Sequence, residues 1–476
     1  MRRTKIVTTL GPATDDPAVL EKLLLSGANV VRLNFSHGTP QDHHSRANLV
    51  RSIAKTHGLN VALLADLQGP KLRIGKFKDG SIKLQVGDKI CLDADFESDD
   101  GTKERVGIDY KELASDCRPG DILLLDDGRI KLQVIAIETS AINCEALTAG
   151  KLSNNKGLNR QGGGLSAPAL TDKDKADIKT ISDIGFDYVA VSFPKTHEDM
   201  AYARDLLNDA GCDARLVAKI ERAEAALDQE NLENIIEVSD AVMVARGDLG
   251  VEIGDAALPG VQKRMIQTAR RYNKLVIVAT QMMESMIQSP VPTRAEVFDV
   301  ANAVIDGADA VMLSAETAAG KFPVDAVNAM ADVCIGAEKQ RETQISDHRI
   351  HGSFERTDET IAMATMYSAN HFKGVKGIIC LTESGDTPLL MSRIRSGLPI
   401  MALTRHAKTQ RRMALVRGVE SILFDQTHFP YEEVNEKAIA LLKDRELLED
   451  NDLVIFTKGA KMGIHGATNA MVILKV

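Results

Sequence analysis

The sequence predicts an α/β chain in three parts: a (β/α)8 TIM barrel, an inserted small β-barrel lid, and a C-terminal open α/β domain. Three observations predict it. Eight short runs rich in Val, Ile and Leu alternate with segments of helix length, as parallel strands buried on both faces should. Between the third and fourth runs the periodicity switches to two and turn dipeptides appear. After Arg341 comes a polar, His-containing stretch, and beyond it helix–strand alternation resumes.

The eight runs are 5–10, 28–35, 61–67, 186–193, 215–221, 241–245, 275–280 and 308–314. One crossover carries its own start signal: Thr293 followed three residues on by Glu296 is a capping box for a helix over 294–305, and Pro290 and Pro292 mark the loop before it. The insertion covers 71–166, with turns expected at Asp79-Gly80 and Asp127-Gly128. It ends in Gly162-Gly163-Gly164, either a hinge or a loose loop. The barrel therefore takes 1–70 and 167–343, and the third domain 344–476, with helices over 359–372 and 388–395 and strands over 375–381, 400–403, 453–457 and 471–474.

Composition narrows the function. The chain has 476 residues, with 58 Lys and Arg against 67 Asp and Glu, a net charge of −9, so coating nucleic acid has no electrostatic basis. Any anionic ligand needs locally placed cations. No apolar run approaches the roughly 20 residues of a membrane span. Met1-Arg2-Arg3 looks like a signal n-region, but Thr8, Thr9, Gly11 and Pro12 break the apolar stretch behind it, so a cytoplasmic start is expected. Six scattered cysteines suggest reduced thiols, without disulfides or a metal knuckle.

In a (β/α)8 barrel, working residues sit where strands end, and side chains two apart share a side. Polar pairs recur there: Arg32 and Asn34, Asp66 and Gln68, Lys219 and Glu221, Arg246 and Asp248, Ser314 and Glu316. Any one pair reads as a strand-end ion pair; five at one mouth read as a site. Glu221 and Asp248 suit Mg²⁺, which accepts one or two carboxylates and keeps several waters. Lys219 and Arg32 beside them call for a strongly anionic ligand, such as a phosphorylated carboxylic acid. Gly247 would let main-chain amides approach it. There is no P-loop, no G-x-G-x-x-G after a strand and no nucleophile elbow. His37, His43 and His44 read as helix or loop residues rather than metal ligands.

Taken together, Asn34-Phe35-Ser36-His37-Gly38, Lys219-Ile220-Glu221, Ala245 to Glu252 (ARGDLGVE), Ala279-Thr280-Gln281-Met282 and Pro292 to Glu296 (PTRAE) resemble the motifs of the pyruvate kinase family, across the whole barrel. The resemblance implies phosphoryl transfer from phosphoenolpyruvate to ADP, giving ATP and, once the enolate is protonated, pyruvate. It implies Glu221 and Asp248 on Mg²⁺ (or Mn²⁺), Lys219 on the transferring phosphoryl group, and Arg32 on the phosphate. Gly247 and Asp248 amides would take the carboxylate, Thr280 would line the protonation face, and Ser314 and Glu316 would complete a proton relay. Asn34, His37, Arg73 and Lys156 would grip the nucleotide. A homotetramer is implied as well.

Two features qualify the resemblance. Potassium-requiring members carry Glu where this chain has Lys71, and Thr-Lys where it has Leu67-Gln68, with the cation held by oxygens matching Asn34, Ser36 and Asp66. An ammonium from Lys71 would replace that cation, so potassium is expected to be unnecessary. In the third domain, Thr382, Glu383, Ser384, Gly385 and Thr387, with Asp386 among them, resemble the family's allosteric phosphate loop. Asp386 disfavours a bisphosphate, and the chain has no Trp to stack on a sugar, so AMP or a sugar monophosphate is the expected effector. Two other readings, a Mg²⁺-dependent lyase and a non-catalytic metabolite sensor, would not require Mg²⁺-dependent ADP binding in the barrel.

Overall fold

The computed structural model describes residues 2–96, 99–346, 348–460 and 466–476; Met1, named above with the N-terminal stretch, and Asp347 of the polar stretch lie outside them. All eight apolar runs form strands: β1 (Lys5–Thr9), β2 (Val30–Asn34), β3 (Ala62–Asp66), β4 (Tyr188–Val191), β5 (Arg215–Ile220), β6 (Ala241–Ala245), β7 (Leu275–Ala279) and β8 (Ala310–Leu313). They close into a ring in which each strand pairs in parallel with the next and β8 pairs with β1. Most runs overshoot their strands because apolar residues just past the ends, such as Phe35 and Leu67, stay buried at 1% and 2% exposure.

Alternate residues divide between two cores. Val31, Leu33, Leu63, Leu216 and Val242 point out beneath the helices, whereas Val30, Leu64, Val217, Met243 and Ile277 fill the barrel. The interior cluster continues into the C-terminal domain through Met366, Ile378 and Met391. The capping box is present as read: Thr293 and Glu296 open the helix Arg294–Asp306, which stops at Gly307 with φ +105°.

The insertion packs around one core of its own. The expected small β-barrel is built as a six-stranded sheet and a two-stranded ribbon rather than as one closed ring among the described residues. Asp127-Gly128 lies in a four-residue hairpin loop between Ile122–Leu125 and Ile130–Ile137, with positive φ at Asp126, Asp127 and Gly128. Asp79-Gly80 turns the chain into Ser81–Leu84, but that strand pairs with Gly150–Ser153, so this turn does not make a hairpin. The three glycines 162–164 all have positive φ, and the segment is pinned: the Gly162 amide donates to Glu252 O at 3.0 Å. A Cβ on Gly163 would lie 2.0 Å from Glu224 Oε2.

The C-terminal sheet has five strands, Val419–Leu423, Ile400–Thr404, Val375–Leu381, Leu453–Gly459 and Thr468–Lys475 in spatial order, the last antiparallel. Val419–Leu423 and the helix Val434–Asp444 were not expected; the strand is short and carries Glu420 and Ser421 within it. This domain sits under the barrel floor, where Arg393 of the domain pairs with Asp309, both nearly inaccessible, and Arg411 Nε meets Asp187 Oδ1 at 2.9 Å.

Candidate active site

Inward-facing positions turn from apolar to polar toward the C-terminal end of the barrel. Val30 is followed in the same parity by Arg32 and Asn34, Leu64 by Asp66, Ala190 by Ser192, and Val217 by Lys219 and Glu221. Strand register sets Asn34 beside Asp66.

The result is a connected charge chain. Arg32 Nε donates to Asp66 Oδ2 at 2.6 Å and its Nη1 to Thr9 Oγ1 at 3.0 Å. Lys219 Nζ lies 3.2 Å from Asp66 Oδ1 and 3.0 Å from Glu221 Oε1, and donates to Ser192 Oγ at 2.7 Å. Ser192 Oγ in turn donates to Leu67 O at 2.7 Å, and the Phe193 amide to Glu221 Oε2 at 2.9 Å. Asp66 and Glu221 are 1% and 2% exposed. Burial opposes charge on Asp66, but Arg32 and Lys219 outweigh it and hold the carboxyl below its usual range. Burial likewise opposes the Lys219 ammonium, and Asp66 and Glu221 overcome it, so its pKa is raised. Glu221 is pushed up to about 7, first by burial, against the pull of Lys219, with the charges of Asp248 and Asp66 adding to it.

Asp248 enters from the helix Arg246–Ile253, which starts directly at the end of β6. Arg246 does not join the site. Its guanidinium is buried against Thr280 O at 2.7 Å and Asp299 Oδ1 at 2.6 Å, tying the loops after β6 and β7 together. The Gly247 amide donates to Thr280 Oγ1 at 2.8 Å, and that hydroxyl donates to Ala279 O at 2.6 Å. Thr280 and Gln281 take φ of +67° and +54°, and Phe193 takes +57°. A β-branched residue in the left-handed region is strained, and such strain persists where surrounding structure fixes it. Glu316, 2% exposed, accepts the Ser314 amide at 2.7 Å and the Met283 amide at 3.2 Å, fastening the loop after β8 to the one after β7.

Other expected residues are placed differently. Asn34 Oδ1 accepts the Ser36 amide at 3.0 Å, and His37 is exposed beside them. Arg73 Nη1 donates to Asn155 O at 2.8 Å and Lys156 Nζ pairs with Asp126 Oδ1 at 2.6 Å, so both are held within the insertion rather than against Asn34 or His37. The Lys71 side chain is exposed and makes no hydrogen bond or ion pair among the described residues; Asp66, the carboxylate it was expected to meet, is already matched by Arg32 and Lys219. Lys71 instead shares with Asp248 and Glu252 the narrow cleft between insertion and barrel. Ser192 and Thr9 were missed, although the i, i+2 pattern that found Lys219 and Glu221 also reaches both.

In the C-terminal loop, Thr382 Oγ1 and Ser384 Oγ accept the Gly385 and Asp386 amides at 2.9 and 3.3 Å, so these two amides are satisfied within the loop. Glu383 Oε2 pairs with Arg405 Nε at 3.0 Å and shares a hydrogen bond with His406 Nε2 at 2.7 Å. Thr387 Oγ1 lies 3.0 Å from Thr468 Oγ1.

The mouth thus sets two cations, Arg32 and Lys219, against the buried carboxylates Asp66 and Glu221 beside the start of a helix, a set compatible with an anionic ligand. Comparison with known proteins agrees. Residues 1–327 match the family model for the pyruvate kinase barrel domain, and residues 359–474 that for its alpha/beta domain. The chain belongs to the pyruvate kinase family. It is 58% identical to pyruvate kinase II of Salmonella typhimurium, covering 100% of this chain and 99% of the relative. It is 56% identical to pyruvate kinase of Haemophilus influenzae, covering 99% and 98%. A pyruvate kinase structure from Cryptosporidium parvum superposes with a TM-score of 0.92 at 34% identity, covering 100% of this chain and 96% of that one. The chain is accordingly a phosphotransferase that acts on phosphoenolpyruvate and ADP, and the family works with a divalent cation. Among the described residues no helix is long and apolar enough to cross a membrane, and no cluster of three or more His, Cys, Asp or Glu stands ready for a metal.

Proposed function

We propose that the charge chain from Arg32 through Asp66 and Lys219 to Glu221 is the phosphoryl-transfer machinery, and that single observation carries the reading. Arg32 holds the phosphate of phosphoenolpyruvate. Lys219 faces the phosphoryl group as its bond to the enol oxygen breaks and its bond to the terminal oxygen of ADP forms, and there offsets the charge spread over its oxygens. The amides of Gly247 and Asp248 receive the substrate carboxylate, the Gly247 amide by giving up its present acceptor, Thr280 Oγ1, for the ligand; no positive φ and no tight protein neighbour requires glycine at 247, which supports a role for it in close approach of a ligand. Thr280, with Ser314 and Glu316 behind it, lines the face on which the enolate carbon takes its proton. Asn34, His37, Arg73 and Lys156 hold the nucleotide once the inserted lid closes.

Glu221 and Asp248 would hold Mg²⁺, with Mn²⁺ as a substitute. The charge of Asp248 adds to burial in raising Glu221, which a cation held by both would offset, and two carboxylates leave room for water and substrate oxygens. The bound ion supplies Lewis-acid stabilisation of phosphoryl oxygens. Mn²⁺ titration followed by electron paramagnetic resonance should give weaker binding for Glu221→Gln and Asp248→Asn than for the parent; unchanged affinity in both would overturn this assignment.

Turnover is proposed to be independent of potassium, with Lys71 as the replacing charge; its exposure and lack of a partner leave it free to move inward on its flexible stem. Regulation by AMP or a sugar monophosphate and action in the cytoplasm complete the reading. A homotetramer is supported by two apolar surfaces. One is on the barrel, where Val291 and Phe298 are 65% and 71% exposed; the other is the edge strand Thr468–Lys475, where Val472 and Ile473 are 37% and 41% exposed. Light scattering tests the assembly.

A further inference from the structure

Asp309 stands immediately before β8 on the barrel floor, and the fold gathers five arginines around it: Arg3 ahead of β1, Arg270 near the end of the helix Leu258–Arg271, and Arg393, Arg395 and Arg417 of the C-terminal domain. Together they line a cavity of about 20 Å³ at the junction of the two domains. That exceeds the roughly 10–15 Å³ that admits a water, and is far below the roughly 300 Å³ at which organic ligands are housed. Asp309 is the only carboxylate among the described residues of its lining.

That carboxylate is fully engaged. Arg393 takes both of its oxygens, Nη1 on Oδ2 at 2.9 Å and Nη2 on Oδ1, and the Val276 and Arg417 amides donate to it at 2.9 and 3.3 Å. Arg3 has Glu338, whose Oε2 lies 3.6 Å from its Nε. The other three guanidiniums have no carboxylate within ion-pair reach among the described residues and meet only main-chain carbonyls. Arg270 Nη2 donates to Arg393 O at 2.7 Å, Arg395 Nη2 to Asp306 O at 2.8 Å and its Nη1 to Glu342 O, and Arg417 Nη1 to Val304 O at 3.2 Å. Arg417 is 8% exposed, and its Nη2, like Arg395 Nε, is sealed from water without a partner among the described residues.

Three like charges thus face one another across the junction, and each bears on the others. Burial, with Arg395, Arg393 and Arg417 adding to it, pulls Arg270 down to about 9 against the charge of Asp309. Burial, with Arg3 and Arg395, pulls Arg417 down to about 10 against Glu338 and Asp309. A buried charge is costly unless it is paired. Water in the cavity would accept hydrogen bonds from the orphaned donors but leave the charge standing; a monovalent anion little larger than water answers both. Arg270 comes from the barrel, and Arg395 and Arg417 from the C-terminal domain, so such an ion bridges the two.

We propose that this cavity is a structural anion site, which takes one chloride-sized halide between Arg270, Arg395 and Arg417 and fastens the C-terminal domain to the barrel floor. The site is independent of the chemistry at the barrel mouth, which lies at the opposite ends of the strands.

The test uses the full-length protein in sodium chloride, sodium bromide and sodium gluconate at one ionic strength, gluconate being too large for the cavity. The melting temperature of the parent should rise saturably as chloride replaces gluconate, by about 2 °C at tenfold the dissociation constant. Crystals soaked in bromide should show an anomalous peak between the three guanidiniums. Arg270→Gln and Arg417→Gln each remove one of the charges and should lose the chloride increment; two variants guard against one failing to fold. Arg271→Gln, the next residue along the helix and 59% exposed, should keep it. A parent that melts at the same temperature in chloride and gluconate would overturn the proposal even with a bromide peak, which would then be an adventitious ion only. No peak in the cavity would overturn it too, as would an increment retained in both Arg270→Gln and Arg417→Gln.

Discussion

Lys219 Nζ stands 3.0 Å from Glu221 Oε1, an ion pair in which both side chains are nearly sealed from water. A buried pair of this kind is poor value as a stability device, because desolvation offsets most of the attraction, yet removing one partner strands the other. Lys219→Met should leave Glu221 without its cation and raise its pKa further above about 7. Stability should drop by about 3 kcal/mol at pH 9 and by less at pH 6, where Glu221 takes a proton. Phosphoryl transfer should fall by about 1,000-fold or more, since the charge facing the transferring group is gone. Exchange of pyruvate methyl protons, which needs no phosphoryl transfer, should persist in part. Denaturant melts at the two pH values and a coupled ATP assay check this; near-parental ATP formation would sink the role given to Lys219.

Thr280 combines a strained backbone with the role proposed for its hydroxyl. Its φ of +67° is disfavoured for a β-branched residue, and its hydroxyl holds the Gly247 amide at 2.8 Å. Thr280→Ala and Thr280→Gly both lose the hydroxyl, but only glycine relieves the backbone. The glycine variant should therefore be more stable than the alanine variant by about 1 kcal/mol, while both turn over slowly. Equal stability of the two in urea would show that the left-handed conformation is not retained in solution.

Glu252 predicts a pH effect at the base of the inserted unit. Its carboxyl accepts the Ala223 amide at 2.8 Å and lies 3.4 Å from Asn159 Nδ2, while its carbonyl accepts the Gly162 amide. Burial raises it to about 7, with the Ala223 amide and Arg222 opposing and Glu224 adding. A carboxyl whose folded pKa is raised binds more protons in the native state, so its contribution is present below the usual carboxylate range and is lost as pH rises through about 7. Stability should fall by up to about 1.4 kcal/mol per pH unit within that window. Glu252→Gln should flatten the profile between pH 5 and pH 8, read by urea melts. A profile as steep as the parent's would assign the slope to other groups.

The barrel was legible because its strands are buried on both faces and so read as unbroken apolar runs, a signal that survives without alignment. Lys219, Glu221 and Asp66 were legible for the same reason: a charged residue at the inward parity of such a run has only the mouth to face. Ser192 obeys the rule but is small and uncharged, and it passed unnoticed. Val419–Leu423 was missed because a strand at the sheet edge carries Glu420 and Ser421 and loses the apolar signature. Arg246 illustrates the opposite error. Its spacing from Asp248 suggested a shared direction, but a helix starts at Arg246, so the period-two rule has already ended there.

Lys71 offers the last test. The residue is exposed and without a partner, so Lys71→Glu should fold as the parent does, within about 0.5 kcal/mol. The charge at the mouth is what changes. On the proposed reading, the ammonium of the parent swings toward Asn34, Ser36 and Asp66 when phosphate arrives and supplies the positive charge that potassium would otherwise bring, whereas a carboxylate in its place adds repulsion toward the incoming anion. Activity of the parent should differ by less than about twofold between sodium and potassium buffers of equal ionic strength, whereas Lys71→Glu should lose about tenfold in sodium and recover in potassium. Matching ionic strength matters, because exposed charges are screened over about 8 Å in physiological salt and an unmatched comparison would mimic the effect. Strong potassium activation of the parent would mean that Lys71 stays in solvent through the cycle, as it stands in the cleft with Asp248 now.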